Sequence, residues 1–128
     1  MLNNLENPLA TILIIDDEPS VRLAIRKVLE RDHHDVIEAA DGHEGIDCFH
    51  DFPLDLVITD ILMPEVYGLE VIRTIRKENP TLPILTITAY APARLTLAKE
   101  LGSDYTLKKP FSIDELLQIV NKALNSNT

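Results

Sequence analysis

Short apolar runs alternate with amphipathic stretches along almost the whole chain. Thr11 to Ile15 is a continuous run rich in β-branched residues, the pattern of a strand covered on both faces. Beyond it Val21, Ala24, Ile25, Val28 and Leu29 recur at helical spacing, with Pro19 tolerated in the opening turn. Val36-Ile37 marks a second, shorter strand, and Asp41-Gly42 breaks the chain before a helix carrying Ile46 and Phe49. Leu54 to Thr59 predicts a third strand, followed by a loop with Pro64 and Gly68 and a helix bearing Leu69, Ile72 and Ile75. Pro80 and Pro83 frame a fourth strand, Ile84 to Ile87. A weaker helix with Leu95, Ala98 and Leu101 closes at Gly102, a residue suited to a helix C-terminus. Tyr105 to Leu107 predicts a brief fifth strand. The last helix is the best marked. Ser112 and Glu115 form a capping box, Phe111 and Leu116 occupy hydrophobic-staple positions, and Ile113, Leu116, Leu117, Val120 and Leu124 make its apolar stripe.

Five strands alternating with five helices imply a parallel sheet with helices on both faces. The expected arrangement is one domain over residues 11–125, with short tails at 1–10 and 126–128. Composition narrows the function more than the fold. Lys and Arg number 12 against 21 Asp and Glu, for a formal charge of −9. A surface this acidic repels phosphate backbones, so direct binding to nucleic acid or an anionic membrane is not expected. No apolar run approaches the ~20 residues of a membrane span, and the polar start lacks the regions of a signal peptide. Cys48 is the only cysteine, which excludes a disulfide framework or a cysteine-based zinc site and fits a reducing, cytoplasmic setting.

In a parallel sheet of this kind ligands bind at the carboxyl ends of the strands. The first run ends in Asp16-Asp17-Glu18, the third in Asp60, the fourth in Thr88-Ala89 and the fifth in Lys108-Lys109-Pro110. Taken singly, each has an ordinary structural reading as a loop acid, a strand threonine or a surface lysine. Together they bring carboxylates, a hydroxyl and an ammonium to one edge of the sheet. Glu38 and Asp41, after the second strand, read as structural. Clustered carboxylates repel unless a cation joins them. An all-oxygen set without imidazole suits Mg²⁺, which keeps waters or phosphate oxygens in its remaining positions. Such a site is equipped for phosphoryl transfer to a carboxylate, and Asp60, at the end of the central strand, is the best nucleophile. The four histidines lack a ligand spacing and read as structural; no Ser-His-Asp set or glycine-rich phosphate loop is present.

These residues resemble the receiver domain of two-component response regulators over about Thr11 to Leu124. The matching pieces are I-L-I-I-D-D-E at 12–18, D-L-V-I-T-D at 55–60, M-P-x-x-x-G at 63–68, T-A at 88–89 and K-P-F at 109–111. The resemblance implies a flavodoxin-like (βα)5 fold, a three-layer sandwich with strand order 2-1-3-4-5. It implies that a sensor histidine kinase or histidine phosphotransfer protein phosphorylates Asp60, with Mg²⁺ required. Asp17 and Asp60 would ligate the metal directly with the backbone carbonyl of Leu62, and Asp16 would act through a metal-bound water. Lys109, rather than Lys108, matches the family lysine, and a cis Lys109–Pro110 bond is implied. Thr88 and Lys109 would take the phosphoryl oxygens and draw the loop after the fourth strand inward. By the same analogy, the face of the fourth helix, fifth strand and fifth helix, including Leu95, Tyr105 and Leu116, would serve dimerisation or effector docking.

Two departures stand out. The usual switch aromatic, three residues before the lysine, is replaced by Thr106; Tyr105 lies one residue earlier and so on the opposite face of the strand. In the family the chain resembles, the positions two beyond the acceptor and two beyond the threonine influence the hydrolytic water. Here they are Leu62 and Tyr90, bulky side chains without a carboxylate or amide, which implies slow hydrolysis of phospho-Asp60 without a helper phosphatase. The competing classes are a phosphatase of the haloacid dehalogenase type, a flavin mononucleotide carrier and a phosphorylation-independent pseudo-receiver. The first needs D-x-D where this chain has D-D-E, and the second needs a small-residue phosphate loop there. The third is the alternative to a phosphoaccepting switch.

Overall fold

A computed structural model describes residues 9–62, 68–89 and 92–125. Strand β1 is Thr11–Ile15, followed by α1 Pro19–Arg31, β2 Asp35–Ala39, α2 Gly42–Asp51 and β3 Leu56–Asp60. Next come α3 Gly68–Glu78, β4 Ile84–Thr88, α4 Pro92–Leu101, β5 Tyr105–Lys108 and α5 Ile113–Asn125. The strands pair in parallel in the order β2-β1-β3-β4-β5, the flavodoxin-like arrangement that the resemblance implies. The third strand is displaced from its predicted range. Leu54 stays outside it, packed under the sheet, while Asp55 spends its carboxylate on the Thr11 amide.

Two apolar layers explain why the strands are continuous hydrophobic runs. Ile12, Ile14, Ile58, Leu85 and Ile87 face α1 and α5, meeting Ile25, Leu29, Leu116 and Val120. Leu13, Ile15, Val57 and Ile84 face the other way, against Val71, Ile72 and Ile75 of α3 and Ala98 of α4. Every residue of β3 and β4 is buried, whereas edge strands β2 and β5 keep exposed positions. β1 and β3 are neighbours, so the chain winds one way from β1 to β2 and the other way from β3 onward. Their carboxyl ends open the crevice in which α/β sheets hold ligands.

Local signals terminate the elements where the sequence predicts. Gly102 has φ +118°, and its amide and that of Ser103 both return to the Ala98 carbonyl, closing α4. At α5 the Ser112 hydroxyl accepts the Glu115 amide at 3.1 Å while Glu115 accepts the Ser112 amide at 3.0 Å. Among the described residues α4 is the least embedded helix, with Ala98 its one buried residue. No helix among the described residues is long and apolar enough to cross a membrane.

Candidate functional site

The crevice is built from three strand ends. Asp16 follows β1, Asp60 ends β3 and Lys109 follows β5. The Lys109 ammonium donates to Asp60 Oδ2 at 2.9 Å and to Asp16 Oδ2 at 3.0 Å, and lies 3.7 Å from Glu18 Oε1. Asp60 Oδ1 accepts the Leu62 amide at 2.9 Å, and Asp16 Oδ1 accepts the Glu18 amide at 2.9 Å. Both aspartates are buried, while Asp17 and Glu18 are exposed at the rim. Carboxylate oxygens of Asp16, Asp17, Glu18 and Asp60 all lie within 4.8 Å of one another.

Burial raises the Asp16 carboxyl above the ordinary aspartate range. The Glu18 amide and Lys109 pull it down by less, and the neighbouring Asp60 adds to the rise. Burial also acts on Lys109, lowering it, but hydrogen bonds to Asp60 and Asp16 outweigh that and hold the ammonium above its ordinary value. Four carboxylates around one lysine leave excess negative charge in a partly dry crevice. The donors are all hard oxygens, the set that fits Mg²⁺ rather than a softer metal.

Thr88 supplies a different kind of evidence. Its side chain is fully buried at the end of β4, and Oγ1 has no hydrogen-bond partner among the described residues. A buried hydroxyl without a partner costs on the order of 1–3 kcal/mol, so it is poised for an acceptor that arrives from outside. The Thr88 carbonyl, in contrast, accepts the Lys109 amide at 2.6 Å. The Lys109–Pro110 bond is cis.

Several sequence-level expectations can be placed. Leu62 enters the site through its backbone amide, and its side chain is exposed. Tyr90 and residues 63–67 of the M-P-x-x-x-G motif lie outside the described residues, as do the tails at 1–8 and 126–128. Tyr105 and Leu107 join the layer against α1 and α5, which puts Thr106 on the face beside Thr86; no aromatic of β5 shares the Thr88 side. Glu38 pairs with Arg22 and Arg26, and Asp41 caps α2 by accepting the Glu44 amide, so both are structural. His50 bonds Glu78 at 2.9 Å, and His34 is buried with its pKa lowered by that burial. Burial and nearby acids push the Cys48 thiol up, away from reactivity.

One expectation needs correction. Leu116 is 2% exposed, buried beneath α5 as the staple partner of Phe111, and cannot be a docking contact. Two residues of the site carried no assignment from sequence. Glu18 caps α1 without a side-chain bond to it, which leaves its carboxylate at the rim. Arg22 donates to the Asp16 carbonyl at 2.6 Å, a contact across the strand–helix turn that no motif marks.

A family model described as the response regulator receiver domain matches residues 12–121, and the chain belongs to that family. Its module is the phosphoaccepting receiver of two-component signalling. The response regulator MprA of Mycolicibacterium vanbaalenii is 36% identical over 118 residues, 91% of this chain and 51% of that protein. The chain thus spans about half the length of such curated relatives. Among solved structures, a response regulator receiver domain protein from Clostridium thermocellum has a TM-score of 0.87 at 33% identity, covering 93% of this chain and 97% of that one. The chemotaxis response regulator CheY4 of Vibrio cholerae has a TM-score of 0.84 at 30% identity, covering 90% of this chain and 98% of its own.

Proposed function

We propose that residues 11–125 form a cytoplasmic receiver domain in which Asp60 takes a phosphoryl group from the phosphohistidine of a sensor kinase or phosphotransfer protein. The observation that carries this reading is the ammonium of Lys109 bridging Asp60 and Asp16, with the Thr88 hydroxyl, unpartnered among the described residues, at the end of the adjoining strand. Asp17, Asp60 and the Leu62 carbonyl would hold Mg²⁺ directly, and Asp16 through a bound water. The ion, when present, supplies the positive charge that lets an anionic donor approach this acidic crevice.

One carboxylate oxygen of Asp60 attacks phosphorus, the P–N bond breaks, and the departing imidazole nitrogen takes a proton. The domain thereby promotes its own phosphorylation without turning over an external metabolite. Lys109 neutralises phosphoryl oxygens as they form new contacts, and Thr88 gains the acceptor it otherwise lacks. Satisfying that hydroxyl pulls the Thr88-Ala89 segment toward Asp60. α4 follows directly in the chain and is held by few buried side chains, so it is the element that responds. The face of α4, β5 and α5, with Leu95 and Tyr105 half-exposed on it, is then the surface offered to a homodimer or effector partner.

The test is incubation with acetyl phosphate and Mg²⁺, followed by intact mass. Gain of one phosphoryl group, lost with chelator or in Asp60→Asn, is expected. A chain that stays unmodified under these conditions is a pseudo-receiver.

A further inference from the structure

The Asp16–Asp17 peptide is held at more points than a loop needs. The Asp16 amide donates to the Ala39 carbonyl of β2 at 3.1 Å, and its carboxylate accepts the Glu18 amide. Its carbonyl accepts no backbone amide among the described residues. Pro19 has no N–H, and the amides of Val21 and Arg22 go to the Glu18 carbonyl at 3.1 and 3.2 Å. The Arg22 guanidinium fills the gap: Nη1 donates to Asp16 O at 2.6 Å while Nε donates to Glu38 Oε1 at 3.0 Å. Glu38 on β2 also pairs with Arg26, whose Nη2 donates to the Val36 carbonyl at 3.1 Å. A planar fork braced on a neighbouring strand thus fixes one peptide plane, and that plane carries the Asp17 nitrogen.

We infer that Arg22 is a positioning residue for the divalent ion: by clamping the Asp16 carbonyl from a Glu38 brace, it sets where Asp16 and Asp17 present their carboxylates. The inference rests on reading the acidic cluster as a Mg²⁺ site. Its sign separates it from simple electrostatics. An arginine is a cation beside a cation site, so its charge alone opposes Mg²⁺, and removing it would tighten binding. Removing a clamp lets the peptide plane turn, and binding weakens; supporting residues of this kind typically contribute ~10–100-fold in metal affinity.

The experiment is calorimetric titration of the full chain with MgCl₂. Wild type, Arg22→Gln, Arg22→Lys and Arg26→Gln are compared, with far-ultraviolet circular dichroism confirming that each is folded. Arg26→Gln is the control, because it removes the same charge and a Glu38 contact but touches Val36 rather than the loop. Arg22→Gln is expected to raise the Mg²⁺ dissociation constant about tenfold. Arg22→Lys, keeping charge without the fork, is expected to fall between it and wild type, and Arg26→Gln to match wild type. Mg²⁺ binding in Arg22→Gln as tight as wild type or tighter overturns the inference while leaving the metal site intact. An equal loss in Arg26→Gln also overturns it, since general loosening of the Glu38 cluster would then be the cause. No Mg²⁺ binding by wild type removes the metal reading itself.

Discussion

The Thr88 carbonyl accepts the Lys109 amide at 2.6 Å, tying together the ends of β4 and β5. One backbone bond therefore holds in register the two side chains that would grip a phosphoryl group. Yet the two are in opposite states: Lys109 is saturated by carboxylates, and the Thr88 hydroxyl has no partner among the described residues. The hydroxyl is the half of the pair with something to gain.

Thr88→Val tests that asymmetry. Valine is close in shape and removes a buried polar atom that has no partner among the described residues. The unphosphorylated protein is expected to gain on the order of 1 kcal/mol in urea unfolding. The same variant should accept phosphate yet show less of the phosphorylation-linked change in α4 amide hydrogen exchange expected of wild type. Destabilisation by Thr88→Val would mean that the hydroxyl already has a partner.

Asp16 predicts a pH dependence with a definite sign. Its folded pKa is raised by burial, so the protonated form is favoured in the fold. This contribution is fully present below the ordinary aspartate value of 3.8 and is lost as pH climbs through the folded value. In chelator Asp16→Asn should lack this contribution, so its stability relative to wild type is expected to rise as pH climbs above 3.8. Urea midpoints at several pH values decide it, and a gain that grew on acidification would have the wrong sign.

Gly68 opens α3 hard against the acceptor strand. A Cβ there would lie 2.1 Å from the Asp60 carbonyl oxygen and 2.4 Å from Ile61 Cα, both backbone atoms that cannot swing aside. Gly68→Ala is expected to cost ~1–3 kcal/mol and slow phosphorylation of Asp60. Gly45→Ala provides the contrast. The nearest atoms to its Cβ would belong to the side chain of Ile15, at 2.4 Å, so phosphorylation should suffer less. Equal phosphorylation rates for Gly68→Ala and wild type would detach α3 from the site.

Leu62 at the rim bears on how long the phosphoryl group survives. Its side chain is exposed and offers no carboxylate or amide to orient a hydrolytic water. Phospho-Asp60 is expected to persist for minutes or longer in Mg²⁺ buffer, and Leu62→Glu to shorten it. Decay of label within seconds in wild type would contradict this.

The strand-end residues were legible because of topology. Once five parallel strands are predicted, their carboxyl ends must share an edge, and Asp16, Asp17, Asp60, Thr88 and the Lys108-Lys109 pair follow from their place after apolar runs, with the family resemblance selecting Lys109. Side-chain direction was less accessible. Alternation along β5 does place Tyr105 and Thr106 on opposite faces, but helical spacing could not separate the buried Leu116 from its exposed neighbour Ile113. Arg22 was invisible for a further reason. Its bond to the Asp16 carbonyl crosses the strand–helix turn, a meeting of side chain and backbone that residue types do not encode.

The identity of the phosphorylated side chain is the most direct test. After reaction with acetyl phosphate and Mg²⁺, borohydride converts an acyl phosphate into homoserine, which peptide sequencing by mass spectrometry locates. Homoserine at position 60 alone is the expected result. Homoserine at 16 or 17 instead, or none at 60 while the protein still gains a phosphoryl group, would contradict it.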